Sequence, residues 1–185
     1  MMKVLFINGT VVGSKTKVLL QETDQYLNKY HSNIETKHVY LEDYDLQFVD
    51  GRPPEQYNED TRKLIDEISS ADGYIIATPV FQSSIPGTLK NMFDLISPNA
   101  MRYKPVAIVA NGGSFQHHLV AQNQLRPILD YFRSFVTPNY VYTHSSHFST
   151  QNELIDEDVQ NRLKELARVF GHYLEMSRNV QKEDV

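Results

Sequence analysis

Apolar positions cluster into five short runs, separated by polar or helically spaced stretches. The first run, "KVLFIN" (3–8), is continuously apolar and stops at Asn-Gly, as a strand buried on both faces would. Residues 14–30 then place Val18, Leu19 and Leu27 on one moderately apolar helical face. "IETKHVYL" (34–41) alternates and predicts a second strand nearer a sheet edge. A long polar connection (42–60) contains Gly51, Pro53 and Pro54; connections this long often border a site or an interface. Leu64, Ile65, Ile68 and Ala71 predict a helix over 60–71, and "GYIIATPV" (73–80) a third strand ended by Pro79. Pro86 opens a helix over 85–97. "KPVAIVANGG" (104–113) reads as the fourth strand, followed by a helix over 115–134 that Pro127 interrupts. "TPNYVYT" (137–143) reads as the fifth strand. Val159, Leu163, Leu166, Ala167, Phe170 and Leu174 mark the last helix.

Alternating strands and helices predict an α/β three-layer sandwich, with a parallel sheet between two helical layers. Five strands suit the flavodoxin-like order 2-1-3-4-5. One domain over 1–178 is expected, with 179–185 as a tail. In such sheets ligands sit beyond the strand C-terminal ends, so the loops after strands 1, 3 and 4 should converge. They read "NGTVVGSKT", "TPVFQSS" and "NGGSFQHH".

Composition narrows the chemistry. The net charge is -5, which argues against nucleic acid as a partner. There are no cysteines, so disulfides, thiol nucleophiles and cysteine-held metals are excluded, and redox chemistry would need a bound cofactor. No apolar run approaches the roughly 20 residues that span a bilayer. With no signal-like segment at the N-terminus, a cytoplasmic protein is expected.

The first loop resembles a triphosphate loop, but its order is G-x-x-x-G-S-K-T rather than G-x-x-x-x-G-K-[ST]. "YIIATP" also lacks the acid that would hold magnesium. Thr10, Ser14, Lys15 and Thr16 at a helix start suit a single phosphate, or else only a strand–helix turn. In the second loop, Phe81 beside Pro79 could face a flat heteroaromatic ring or belong to the core. Gly112 and Gly113 in the third loop permit close backbone approach, or simply turn the chain. His117, His118, His144 and His147 have no clustered carboxylate, and no metal site is expected from them.

"TPVFQSSIPGTLKNMFDLI" followed by "ANGGS" resembles the NAD(P)H-dependent FMN reductase family of flavodoxin-like flavoproteins. The likeness runs along essentially the whole chain and is most specific over 79–94 and 112–127. A "GGS" turn leading to Leu125-Arg126-Pro127 is similar to the flavin reductases that serve alkanesulfonate monooxygenases. The resemblance implies FMN as cofactor and NADPH or NADH as donor. It places Thr10, Ser14, Lys15, Thr16 and Lys17 at the phosphate, and Pro79, Val80, Phe81 and Gln82 along the isoalloxazine. Gly112, Gly113 and Ser114 would meet its pyrimidine side. No side chain is assigned an acid–base role. Electrons would pass to free flavin, a quinone or an azo compound; a flavodoxin-type electron carrier is the alternative. A flavin-dependent monooxygenase is a candidate partner, and a homodimer or homotetramer is expected, with Tyr44, Phe48 and Tyr57 of the long connection at the contact. Three positions depart from the family pattern. Val11 and Val12 stand where an earlier arginine is usual, Phe81 replaces a frequent tyrosine, and Asn123 stands where relatives carry a larger residue at a π-bulge.

Overall fold

The computed structural model describes residues 1–183. β1 (Met2–Asn8), β2 (Ile34–Tyr40), β3 (Gly73–Pro79) and β4 (Pro105–Gly112) are all parallel and lie in the order β2-β1-β3-β4. The fifth position is shared. β5 (Phe135–Val136) pairs with the start of β4, and β6 (Val141–His144) pairs with its end. The expected order 2-1-3-4-5 therefore holds, but the single strand expected over 137–143 is two. Pro138 interrupts it, because a proline cannot donate to the ladder.

Both sheet faces are covered, which explains why the strands read as continuous apolar runs. Side chains alternate across β1. Leu5 and Ile7 pack with Leu64, Ile68, Met92 and Leu129. Val4 and Phe6 pack on the other face with Leu19, Leu27, Leu163 and Phe170. The first layer comes from α2 (Glu59–Ser70), α3 (Gly87–Leu95) and α4 (Arg126–Tyr131), the second from α1 (Lys15–Tyr30) and α5 (Glu157–Glu183). The Asn58 side chain accepts from Thr61 N–H at 2.9 Å and starts α2. α5 continues through Glu183, so residues 179–183, expected as tail, are helical, while 184 and 185 lie outside the described residues.

The helix expected over 115–134 is three segments: a 3-10 turn (Phe115–Leu119), a π turn (Ala121–Leu125) and α4. In the π turn, Arg126 N–H donates to the Ala121 carbonyl. Pro127 has no N–H to offer Asn123, so the change of pitch falls just ahead of it.

Residues 41–60 are held down from within the chain. Val49 N–H donates to Asn91 Oδ1 at 3.0 Å, and Asn91 Nδ2 donates to the Gln47 carbonyl at 3.0 Å. Tyr57 is buried and Tyr44 donates to Glu67 at 2.9 Å, so both are turned toward their own subunit. Phe48 stays 74% exposed. Among the described residues no helix is long and apolar enough to cross a membrane.

Candidate functional site

Register brings the three loops together. Asn8 lies opposite Ala77, Pro79 opposite Asn111, and Gly112 opposite His144. The C-terminal ends of β1, β3, β4 and β6 therefore finish side by side.

Loop one is a preformed turn. Gly9 N–H donates to the Ala77 carbonyl at 2.8 Å, and Asn8 Nδ2 donates to the Thr10 carbonyl at 3.2 Å. Thr10 Oγ1 accepts from Val12 N–H at 3.2 Å. Gly13 takes φ +90°, a left-handed conformation that glycine adopts without strain. Ser14 precedes α1 but caps none of its amides with its side chain. Asn8 Oδ1 and Thr16 Oγ1 are buried without a hydrogen-bond partner. The Thr16 hydroxyl can donate, and beside amides that no side chain caps it fits an anion, whereas Asn8 Oδ1 only accepts and calls for a donor such as a ligand hydroxyl or water. Lys15 is half-buried, its Nζ 5.7 Å from the centre of the Phe148 ring. Lys17 is engaged elsewhere: it pairs with Glu42 and lies over the Tyr40 ring at 5.2 Å. Its pKa is raised above the ordinary lysine value, chiefly by the Glu42 hydrogen bond.

Thr16→Val should separate binding from folding. Removing an unpartnered buried hydroxyl should leave the stability of the unliganded protein unchanged or raise it by about 1 kcal/mol. FMN affinity should fall about tenfold, the net value of one hydrogen bond. Urea unfolding and flavin fluorescence titration read the two effects; loss of both together would make Thr16 merely structural.

Loop two is strained. Phe81 and Ser84 exchange backbone hydrogen bonds of 2.9 Å around a two-residue turn. Gln82 (φ 44°) and Ser83 (φ 60°) both take left-handed backbone, although neither is glycine. Such conformations cost of order 1 kcal/mol each and gather at functional sites. The turn lifts Phe81 to the surface, 36% exposed, so it is not a core residue. Val80 N–H donates to the Asn111 carbonyl at 2.9 Å, tying this loop to the end of β4. Ser84 Oγ donates to Gln124 Oε1 at 3.4 Å, a longer tie to the π turn. Ser83→Gly should raise stability by about 0.5–1 kcal/mol by relieving the left-handed backbone. A denaturation midpoint that fails to rise would show that Ser83 carries no strain.

Loop three is braced from β6. A Cβ built on Gly112 would lie 2.1 Å from Tyr142 Oη, so only glycine fits there. Tyr142 Oη donates to the Ser114 carbonyl at 2.5 Å. Burial raises the Tyr142 pKa, which keeps this donor protonated. His144 Nε2 lies 3.0 Å from the Gly113 carbonyl, so this nitrogen carries the proton. Its Nδ1 accepts from Ser146 N–H at 3.2 Å, so both ring nitrogens are engaged and the ring is held in place. Phe115 stacks on the His144 ring at 4.4 Å. Around Gly113 a Cβ would meet nothing within 4 Å, so open space borders the backbone there. Among the described residues no three His, Asp or Glu side chains gather as a metal site would require.

Sequence reasoning missed Asn8, Tyr142 and His144. Asn8, a polar residue ending an apolar strand, was a usable signal. The roles of Tyr142 and His144 depend on which strand neighbours β4, which no local pattern reports.

The model of the family described as NADPH-dependent FMN reductase matches residues 2–148. The chain belongs to the NADPH-dependent FMN reductase family. It is 49% identical over 171 residues to an NAD(P)H-dependent FAD/FMN reductase of Geobacillus thermodenitrificans, covering 92% of each chain. It is 32% identical to an FMN reductase (NADPH) of Pseudomonas aeruginosa, over 88% of this chain and 89% of that one. Among solved structures, an NADH:FMN oxidoreductase in its apo form superposes with TM-score 0.75 at 23% identity, covering 95% of this chain and 90% of that one. At that identity the superposition speaks for the flavodoxin-like fold alone. In this family member, the family model takes in all three loops of the site.

Proposed function

We propose that the protein is an NAD(P)H-dependent FMN oxidoreductase that passes electrons from a nicotinamide donor to flavin and on to a small-molecule acceptor: free flavin, a quinone or an azo compound. The observation that carries this reading is the first loop, where the Thr16 hydroxyl lies buried and unpartnered beside the start of α1, whose first amides no side chain caps. That donor set fits a phosphate monoester.

Bound FMN would supply the hydride-accepting chemistry. The chain's own residues do the rest. Ser14, Lys15, Thr16 and the first amides of α1 hold the phosphate, and Thr10 holds the turn in shape. Pro79, Val80, Phe81 and Gln82 form a rim whose strained turn fixes the Phe81 ring. Backbone N–H groups of Gly112, Gly113 and Ser114 meet the pyrimidine edge, where negative charge on a reduced ring is stabilised by oriented dipoles. His144 and Tyr142 keep that backbone from drifting. Lys17 is bound to Glu42 and serves the site less directly than Lys15.

Phe48, exposed on the connection before α2, supports a homodimer or homotetramer. Light scattering that finds only monomer at micromolar concentration would remove that part. A cytoplasmic location goes with a supply of reduced nicotinamide, and a flavin-dependent monooxygenase is a fitting recipient of reduced flavin.

The test is a visible spectrum of the FMN-loaded protein before and after anaerobic NADPH or NADH. Bleaching, followed by turnover when oxygen or a quinone is admitted, is expected. Bound flavin that stays oxidised would overturn the reading.

A further inference from the structure

A hollow of about 560 Å³ opens beside loop three and has no part in holding flavin as described above. Phe115, His118, Tyr142, His147, Asp158 and Arg162 are among its walls. Tyr142 is the residue that holds the Ser114 carbonyl, so this wall is also the outer wall of the third loop.

The hollow carries three kinds of group. Phe115 is 58% exposed yet held in place by its stack on His144, which in turn is fixed to the Gly113 carbonyl. A rigid exposed aromatic face suits a flat ring. Arg162 lies on α5 with Asp158 as its acid at 4.0 Å, too long for a hydrogen bond, so its guanidinium keeps donors to offer. Asp158 has an 82% exposed side chain and is free to accept from hydroxyls, whereas Asp156 is occupied in accepting from Val159 N–H at 2.9 Å.

A second hollow of about 270 Å³ adjoins the first, and the two share Tyr140 and Arg162. Thr137 lines it, 2% exposed, with a buried hydroxyl that has no partner. Val141, Leu166 and Val169 give it apolar surface, and Glu165 also lines it, its charge met by Arg168 at 2.7 Å. The interruption of the fifth strand at Pro138 forms this second hollow, since the chain leaves the sheet between β5 and β6 there.

An aromatic platform, one guanidinium, an exposed carboxylate and an orphaned hydroxyl match a ligand with a planar heterocycle, an anion and sugar hydroxyls. Inorganic phosphate alone would use Arg162 and leave the Phe115 face and Asp158 without a partner, whereas sugar hydroxyls beside the phosphates give Asp158 donors to accept from. A hydrophobic acceptor would leave Arg162 and Asp158 unused.

We propose that the joined hollows along α5 bind the adenosine-diphosphate part of the nicotinamide donor, with Arg162 meeting the phosphates, Asp158 the sugar hydroxyls and Phe115 a flat ring. This rests on the reductase reading above, because it assumes a dinucleotide whose nicotinamide end reaches loop three. The flavin phosphate and the donor's phosphates then occupy separate places, loop one and α5, on the same edge of the sheet.

ADP-ribose, which carries no nicotinamide, tests the hollow without any redox step. Calorimetric titration into the FMN-loaded protein should show binding that Arg162→Ala weakens at least tenfold. Phe115→Leu should weaken it severalfold. Both residues are exposed, so neither substitution threatens folding. KM for NADH and NADPH should rise about tenfold in Arg162→Ala, with the FMN Kd unchanged. Absence of ADP-ribose binding to the wild type, or equal binding to Arg162→Ala, would overturn the proposal. Normal bleaching with an unmoved KM in Arg162→Ala removes this inference and leaves the reductase reading standing. Arg162-dependent ADP-ribose binding by a protein whose flavin is never bleached does the reverse: the nucleotide site stands and the reductase reading falls.

Discussion

Gly112→Val should abolish measurable FMN binding and lower stability by about 1–3 kcal/mol, the usual cost of overpacking a filled position. The added Cβ would sit 2.1 Å from Tyr142 Oη and 3.0 Å from Cζ. Tyr142 cannot stay, and when it leaves, the Ser114 carbonyl loses its donor. The backbone that should face the flavin then loses one of its two braces. A double-mutant cycle with Tyr142→Phe separates crowding from the lost bond. Tyr142→Phe alone should cost about 1 kcal/mol. Added to Gly112→Val it should recover part of the loss, because the hydroxyl is the atom that clashes. Non-additivity of that sign, read from urea unfolding, is the expected outcome. Strict additivity would mean that the valine disrupts the loop by some route other than Tyr142.

Lys15→Ala should raise the Kd for FMN roughly 10- to 100-fold, the range for losing about 1.5–3 kcal/mol of a hydrogen bond to a charged group. Riboflavin, which lacks the phosphate, should bind the variant as it binds the wild type. The difference between the two proteins should shrink with added salt, because a half-exposed ammonium is screened. The argument depends on how Lys15 is held. Its Nζ lies over Phe148, and among the described residues it has no carboxylate within ion-pair distance. Lys17 sits two residues on and is paired with Glu42, so it cannot substitute without breaking that pair. An equal loss of riboflavin affinity would place Lys15 in the fold of the loop rather than at the phosphate.

The fold was legible in the sequence where both faces of the sheet are buried. β1, β3 and β4 announced themselves as apolar runs because their central residues are covered on both faces, with polar residues such as Asn8 and Thr78 only near the ends that border the site. β2 alternated because it lies at an edge. Strand five was misread because its apolar signal is divided: "FV" at 135–136 and "VYTH" at 141–144 flank Pro138, and only pairing with β4 makes them one position. The π turn was legible only as a proline in a helix, since no residue preference distinguishes a five-residue ring from a four-residue one when Asn123 stands in it. The candidate site was legible where local chemistry suffices. Glycine, serine and lysine at a strand–helix junction stand out as a candidate anion nest from the local sequence alone. The sequence could not indicate that Lys17 turns to Glu42, or that Tyr44 and Tyr57 turn inward. Those outcomes depend on which elements pack together.

The layer that closes the second sheet face has a consequence for synthesis. α1 (15–30) and α5 (157–183) cover the same face, and Leu19, Leu20 and Leu27 are buried with Leu163, Phe170 and Leu174. α1 is translated long before α5, the helix packed against it. Until α5 emerges, those leucines have only the sheet residues Val4, Phe6, Ile75 and Ala77 to pack against, and part of their apolar surface stays open. Loops one to three can come into register before that, but the layer behind them is complete only once α5 is in place.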